Sequence, residues 1–141
     1  MRIVSLHLGD AMYAIDVASV IEILRPLPIT PVPRAAREVA GLINVRGQII
    51  AAIDLRMRLG HTCGAQPMNV LVRVRAGIAS LLVDRIGDVF EVDDSLLSRP
   101  PPTLPASARG LVTGSISLPD RLVLVLDADR ATSLVDDGAL S

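Results

Sequence analysis

The chain has 141 residues, half of them apolar, and a formal net charge of −1. That length fits one ordinary domain burying roughly two-thirds of its unfolded surface without a disulfide or metal staple, and the apolar content excludes a disordered chain. The small charge gives no strong pull toward nucleic acid or anionic membrane, and with Tyr13 and Phe90 as the only aromatics no base-stacking platform can be built.

Ile3, Val4, Leu6 and Leu8 nearly alternate with Ser5 and His7, the pattern of a half-buried strand. Gly9-Asp10 signals a turn. Met12 to Val17 reads as a second strand, with Tyr13, Ile15 and Val17 on one face and Ala14 and Asp16 on the other, so a hairpin is expected. Ala18-Ser19 permits a short helical turn, and Val20-Ile21-Glu22-Ile23-Leu24 is β-branched enough for a third strand. Pro26, Pro28, Pro31 and Pro33 forbid a helix or a central strand, so 25–33 is an extended edge or loop. One or two helical turns are expected over 34–40.

The stretch 41–59 is almost wholly apolar, but Asn44, Arg46 and Gly47 interrupt it together. They read as a turn, with Gly47 supplying a positive φ, followed by a strand over 48–55 and a brief helical turn over 56–59. Arg46 is either a solvated hairpin tip or a recognition residue on a rigid hairpin. His61 to Pro67 is a loop. Strands follow over 70–74 and 78–83, around a turn at Ala76-Gly77, and over 86–92 after Asp84-Arg85. Asp93 offers an N-cap to a short helical stretch. Pro100, Pro101, Pro102 and Pro105 mark a second crossing. Gly110-Leu111-Val112 opens a strand, 117–121 turns, Leu122 to Leu126 is a strand, and 127–133 a short helix. The residues from Leu134 onward look loosely held. Many short strands with regular turns spell an all-β barrel or sandwich rather than βαβ units.

The sequence repeats itself. Val17-x-x-Val20-x-Glu22-Ile23 has the spacing of Val83-x-x-Ile86-x-Asp88-Val89, and a Pro-containing crossing follows each. Gly41-Leu42-Ile43 leads to Ile53-Asp54 as Gly110-Leu111-Val112 leads to Leu126-Asp127, with extra residues in the second copy. In that alignment Thr113-Gly114-Ser115 stands where Asn44-Val45-Arg46 does, so a duplicated barrel folds without an arginine there. Two similar small barrels sharing one apolar core are expected.

No catalytic constellation emerges. His61-x-Cys63 offers two ligands where a structural zinc site needs four, so no metal or cofactor is expected. No glycine-rich phosphate loop is present. Asp16, Asp54, Asp84 and Asp127 each close or flank an apolar strand, where they are expected to accept backbone N–H bonds in turns. All basic residues are Arg and they are dispersed, which disfavours a nucleic-acid barrel. Cys63, the single cysteine, allows no internal disulfide. The N-terminus lacks a signal-peptide core, and no apolar stretch reaches about 18 residues, so a cytoplasmic protein is expected. Glu22 and Arg46 remain, each a charge embedded in an apolar segment. They are either ordinary exposed positions or the flanks of an apolar groove that a partner helix fills.

Leu8-Gly9-Asp10, Tyr13-Ala14-Ile15-Asp16-Val17, Val20-x-Glu22-Ile23, Ile29-Thr30-x-Val32-Pro33, Gly41-Leu42-Ile43-Asn44-Val45-Arg46-Gly47 and Ile53-Asp54-Leu55-Arg56 together resemble the CheW-like domain of bacterial chemotaxis. Leu82-Val83-Asp84, Asp88-Val89 and Leu122 to Asp127 extend the resemblance to about residue 133. It implies two five-stranded SH3-like β-barrels around a shared core, the first built mainly from about 15–80 and the second mainly from about 81–130 with the N-terminal strand. It implies a scaffold without enzymatic activity that binds the regulatory domain of the histidine kinase CheA and the cytoplasmic tip of a chemoreceptor, with other CheW-like domains as further partners in arrays. Glu22 and Arg46 are then contact positions with Val20 beside them, Val70 and Val89 line an apolar groove for the receptor helix, and Asn44, Val45 and Gly47 shape the hairpin presenting Arg46. Val45 stands where the family more commonly has Leu. The pathway is chemotaxis or a paralogous one serving twitching motility or surface sensing. A small metal-binding or nucleic-acid-binding barrel is the other class of reading.

Overall fold

Residues 70–72 and 81–83 are apolar at consecutive positions rather than at every second one, the mark of strands covered on both faces. A computed structural model, which describes residues 1–62, 64 and 66–133, shows what covers them. One sheet runs in the order β3 (Val20–Leu24), β6 (Met68–Val74), β7 (Gly77–Val83), β5 (Gln48–Asp54), β4 (Val39–Val45). The other runs β8 (Arg85–Glu91), β1 (Arg2–Leu8), β2 (Ala11–Asp16), β11 (Leu122–Leu126), β10 (Val112–Ser117), β9 (Leu97–Ser98). The N-terminal hairpin β1–β2 thus belongs to the second sheet, and the chain builds the whole first sheet before returning to finish the second.

Each sheet curls around its own apolar interior. Ile43, Val45, Ile50, Ala52, Leu71 and Leu82 fill the first, with Leu27 and Ile29 of the Pro-rich crossing packed against them. Ile3, Ala14, Val92, Ile116, Val123 and Val125 fill the second. The opposite faces meet in a third core, where Val70, Val72, Leu81 and Val83 of one sheet pack with Val4, Leu6, Tyr13 and Ile15 of the other. Alternation along β6 explains the division: Leu71 points into the barrel, while Val70 and Val72 point to the shared core.

The repeat is a structural one, and its register differs from the one the sequence suggests. β5 lies parallel to β7 as β11 lies parallel to β2, and β4 and β10 pair antiparallel on the outer side. The ladder slips by one residue after Val39↔Ile53 and resumes at Gly41↔Ala52; it slips identically after Val112↔Leu126 and resumes at Gly114↔Val125. Gly114, not Gly110, is therefore the counterpart of Gly41, and the extra residues of the second copy lie in the crossing before β10 rather than within the hairpin. The two-residue β9 also has a counterpart: Ser98 pairs with Ser115 beside Gly114 as Thr30 bridges Leu42 beside Gly41. Both glycines are there to admit that crossing segment, since a Cβ at Gly41 would overlap the Thr30 carbonyl and one at Gly114 would press on the Ser98 carbonyl.

Helical elements are single turns set by aspartates. Asp16 accepts from the Ala18 N–H before a 3₁₀ turn over Val17–Ser19. Asp54 caps α1 (Leu55–Arg58), Asp93 caps a 3₁₀ turn over Asp94–Leu96, and Asp127 caps α2 (Ala128–Thr132). The helical turns expected over 34–40 are replaced by two tight turns, and β4 already begins at Val39. Arg34 is the reason: its φ of 64° is left-handed, which a right-handed helix cannot continue through. No helix among the described residues is long and apolar enough to cross a membrane. The loosely held tail expected from Leu134 and the thiol of Cys63 lie outside the described residues.

Candidate functional site

The hairpin β4–β5 pairs Val45 with Gln48, which leaves Arg46-Gly47 as a two-residue loop. Both loop residues have positive φ, 50° at Arg46 and 89° at Gly47, as a type I′ turn demands. Gly47 meets that demand freely. Arg46 does so against the clash of its own Cβ. Asn44 fixes the turn from the strand side, its Oδ1 accepting the Gly47 N–H at 2.8 Å.

The Arg46 guanidinium reaches Glu22 with both Nη atoms, donating to Oε1 at 2.5 Å and to Oε2 at 3.2 Å. Glu22 lies on β3, at the far end of the sheet from β4 in hydrogen-bonding order, so the pair bridges the two ends of a curled sheet. A bulge between Val20 and Glu22 in the β3–β6 ladder re-aims the carboxylate. Hydrogen bonding from Arg46 lowers the Glu22 pKa and raises that of Arg46, so the pair stays ionised through the neutral range. The Arg46 side chain is 70% exposed and Glu22 34%, so the ion pair is open to solvent and to a partner. Two of the five guanidinium donors are used on Glu22.

The other expected contact residues divide. Val20 is half-buried on β3 with its side chain against the shared core. Val89 is 52% exposed on β8, the end strand of the other sheet. Val45 is buried inside the first barrel, where it supports the hairpin from within. Val70 does not line an open groove. Its side chain is wholly buried in the shared core because β6 is covered on both faces, so a partner does not reach it. Sequence reading passed over Ile21, Ile23 and Ile49, exposed apolar side chains on β3 and beside the hairpin tip. The double isoleucine Ile49-Ile50 was the available signal, since only one of two consecutive residues can enter the barrel.

A second polar constellation joins three residues that the sequence does not show to be in contact. Arg56, 4% exposed, holds Asp54 through Nε–Oδ1 and Nη2–Oδ2, both 3.0 Å, and reaches Asp84 Oδ1 through Nη1 at 3.1 Å. Among the described residues no group of three His, Asp or Glu side chains is placed to hold a metal ion. His61 is engaged elsewhere, with its Nε2 2.7 Å from the Tyr13 hydroxyl. On β1, His7 has its pKa lowered by burial and by the charges of Arg85 and Arg121, against a smaller opposing effect of Asp88.

The family model described as the CheW-like domain matches residues 2–135. Curated relatives include the chemotaxis protein CheW of Rhizobium meliloti, 25% identical over 131 residues and covering 91% of this chain and 84% of that protein. The chemotaxis protein CheW of Helicobacter pylori is 29% identical, with 92% of this chain and 80% of that protein covered. Among solved structures, the scaffolding protein TtCheW from Thermoanaerobacter tengcongensis superposes with a TM-score of 0.82 at 27% identity, over 92% of this chain and 90% of that one.

Proposed function

Because this chain belongs to the CheW-like domain family, we propose that it is a non-enzymatic cytoplasmic scaffold coupling chemoreceptors to a CheA-type histidine kinase. One observation carries the reading. Arg46 is kept in a left-handed conformation that Gly or Asn would adopt more easily, its side chain stands mostly in water, and it is locked to Glu22. A strained, exposed residue does little for folding, and such strain gathers where a surface must be presented in one shape. Arg46, Glu22, Asn44 and Gly47 then form a rigid charged edge, with Ile21, Ile23 and Ile49 as apolar flank. Val20 on β3 and Val89 on β8 border the seam between the sheets, the groove for a receptor helix. Val45 and Val70 support these surfaces from inside.

The kinase's regulatory domain, the receptor's cytoplasmic tip and further CheW-like domains are the partners in this reading. Interfaces on so small a body fall near or below about 1,600 Å² in total, so single affinities are modest and an array supplies avidity. The test is a charge swap followed by calorimetry against a receptor hairpin fragment and a kinase regulatory domain. Arg46→Glu and Glu22→Arg should each weaken binding to at least one partner by about tenfold. The double swap restores the internal pair but should not restore binding. Full recovery in the double swap would mean that the two residues matter only to each other, and the contact reading would fall.

A further inference from the structure

Two crossovers join the sheets at their seam, the Val17–Ser19 turn leading into β3 and the single residue Asp84 between β7 and β8. Val20 and Ile86, at the starts of β3 and β8, both pack on the shared core. β3 and β8 are the end strands of their sheets, so the separation of these two strands depends on how one sheet is set against the other. The shared core is apolar, and apolar packing is not directional; by itself it fixes burial better than angle.

Asp84 supplies direction. Its Oδ1 accepts from Arg56 Nη1 at 3.1 Å, and its Oδ2 accepts the Gly9 N–H at 2.7 Å. Its own N–H donates to the His7 carbonyl at 3.1 Å. Arg56 is anchored at the end of β5 by both oxygens of Asp54. One carboxylate therefore ties the α1 end of the first sheet to the β1–β2 turn of the second, at the residue where β8 departs. The second copy holds a matching tie: Asp129 of α2 accepts the N–H of Arg75 in the β6–β7 turn at 2.7 Å. Each hairpin turn is thus held by the short helix of the other sheet, through Arg56 in one case and directly in the other.

We infer that Asp84 and Arg56 are positioning residues: their partly buried pair sets the angle between the two sheets, and with it the width of the seam between β3 and β8. This rests on the reading above in one respect, that the seam receives a receptor helix. A buried ion pair adds little to stability over an apolar replacement but can select one arrangement among several.

The experiment uses the whole chain in solution. Residual dipolar couplings of backbone amides are fitted separately for each sheet in wild type and Asp84→Ala, and a receptor hairpin fragment is titrated into both. Asp84→Ala should rotate one sheet's alignment frame relative to the other and weaken the hairpin fragment about tenfold. If Asp84→Ala fails to fold, Asp84→Asn reads the same quantities, because it keeps an acceptor for Gly9 and loses the charge facing Arg56. Unchanged frames in a folded variant would overturn the inference whatever the affinity does. Rotated frames with unchanged affinity would also overturn it, since the seam would not need its width. A wild-type chain that binds no receptor fragment would instead refute the functional reading, while the frames still report on the clamp.

Discussion

Val70→Ala separates a core residue from a contact residue. The side chain is wholly buried between the sheets, and the substitution removes two methyl carbons worth about 1.6 kcal/mol in transfer alone. The packed walls of β1 and β7 cannot fully close the space, so a cavity term brings the loss to about 2–3 kcal/mol. For a chain of 141 residues that corresponds to a melting temperature lower by about 7–10 °C. Far-UV circular dichroism is the suitable probe, because Tyr13 and Phe90 are the only aromatics. Receptor and kinase affinities measured well below the transition should stay within about threefold of wild type, less than one contact residue is worth. A variant with unchanged melting and lost binding would return Val70 to the partner surface.

Gly41→Ala should be far more damaging than Gly114→Ala. The first puts a Cβ into the Thr30 carbonyl and breaks the reciprocal Thr30–Leu42 pair of 2.9 and 2.8 Å, losing about 2 kcal/mol in two hydrogen bonds before Leu27 and Ile29 loosen. The second meets the Ser98 carbonyl at 3.1 Å, which a small shift relieves; amide exchange at Leu42 and Ser115 distinguishes the two, and equal protection in both variants would refute the close-approach argument. His7 should make stability fall on mild acidification. Its folded pKa lies below 6.5, so the unfolded chain takes up the proton first, and stability is lost as pH drops through 6.5 and levels off below the folded value. Melting temperatures between about pH 7.5 and about pH 6 should show the decline in wild type and a flatter profile in His7→Gln; parallel profiles would remove His7 from the account.

Much of the fold is legible because its devices are local. Strand-end aspartates cap the turns that follow them, prolines limit 25–33 to a single bridge at the sheet edge, Thr30 to Leu42, and Gly47 announces a positive φ. Parity is what the sequence withholds. In β6 the run Val70-Leu71-Val72 is buried on both faces, so nothing local says which residue enters the barrel and which the shared core. The repeat could be seen but not registered, since Gly110 precedes Leu111-Val112 as Gly41 precedes Leu42-Ile43, whereas Gly114 precedes a serine, and only the ladder's slip after Val112 identifies Gly114 as the counterpart. The Arg34 backbone conformation is likewise invisible in composition, and it removes the helical turn expected there. Within the candidate site, Arg46 and Glu22 stood out as charges in apolar segments, but their contact depends on the curl that brings β3 to the β4–β5 tip. Arg56 was hidden because its second partner, Asp84, belongs to a crossover distant in sequence.

In the proposed coupling, one small body holds a receptor and a kinase together. Sedimentation velocity on a mixture of this chain, a receptor hairpin fragment and a CheA-type regulatory domain shows whether it does. A single species containing all three, absent when this chain is omitted, is the predicted result. Two partners that displace each other, or a chain that sediments alone in the presence of both, would contradict it.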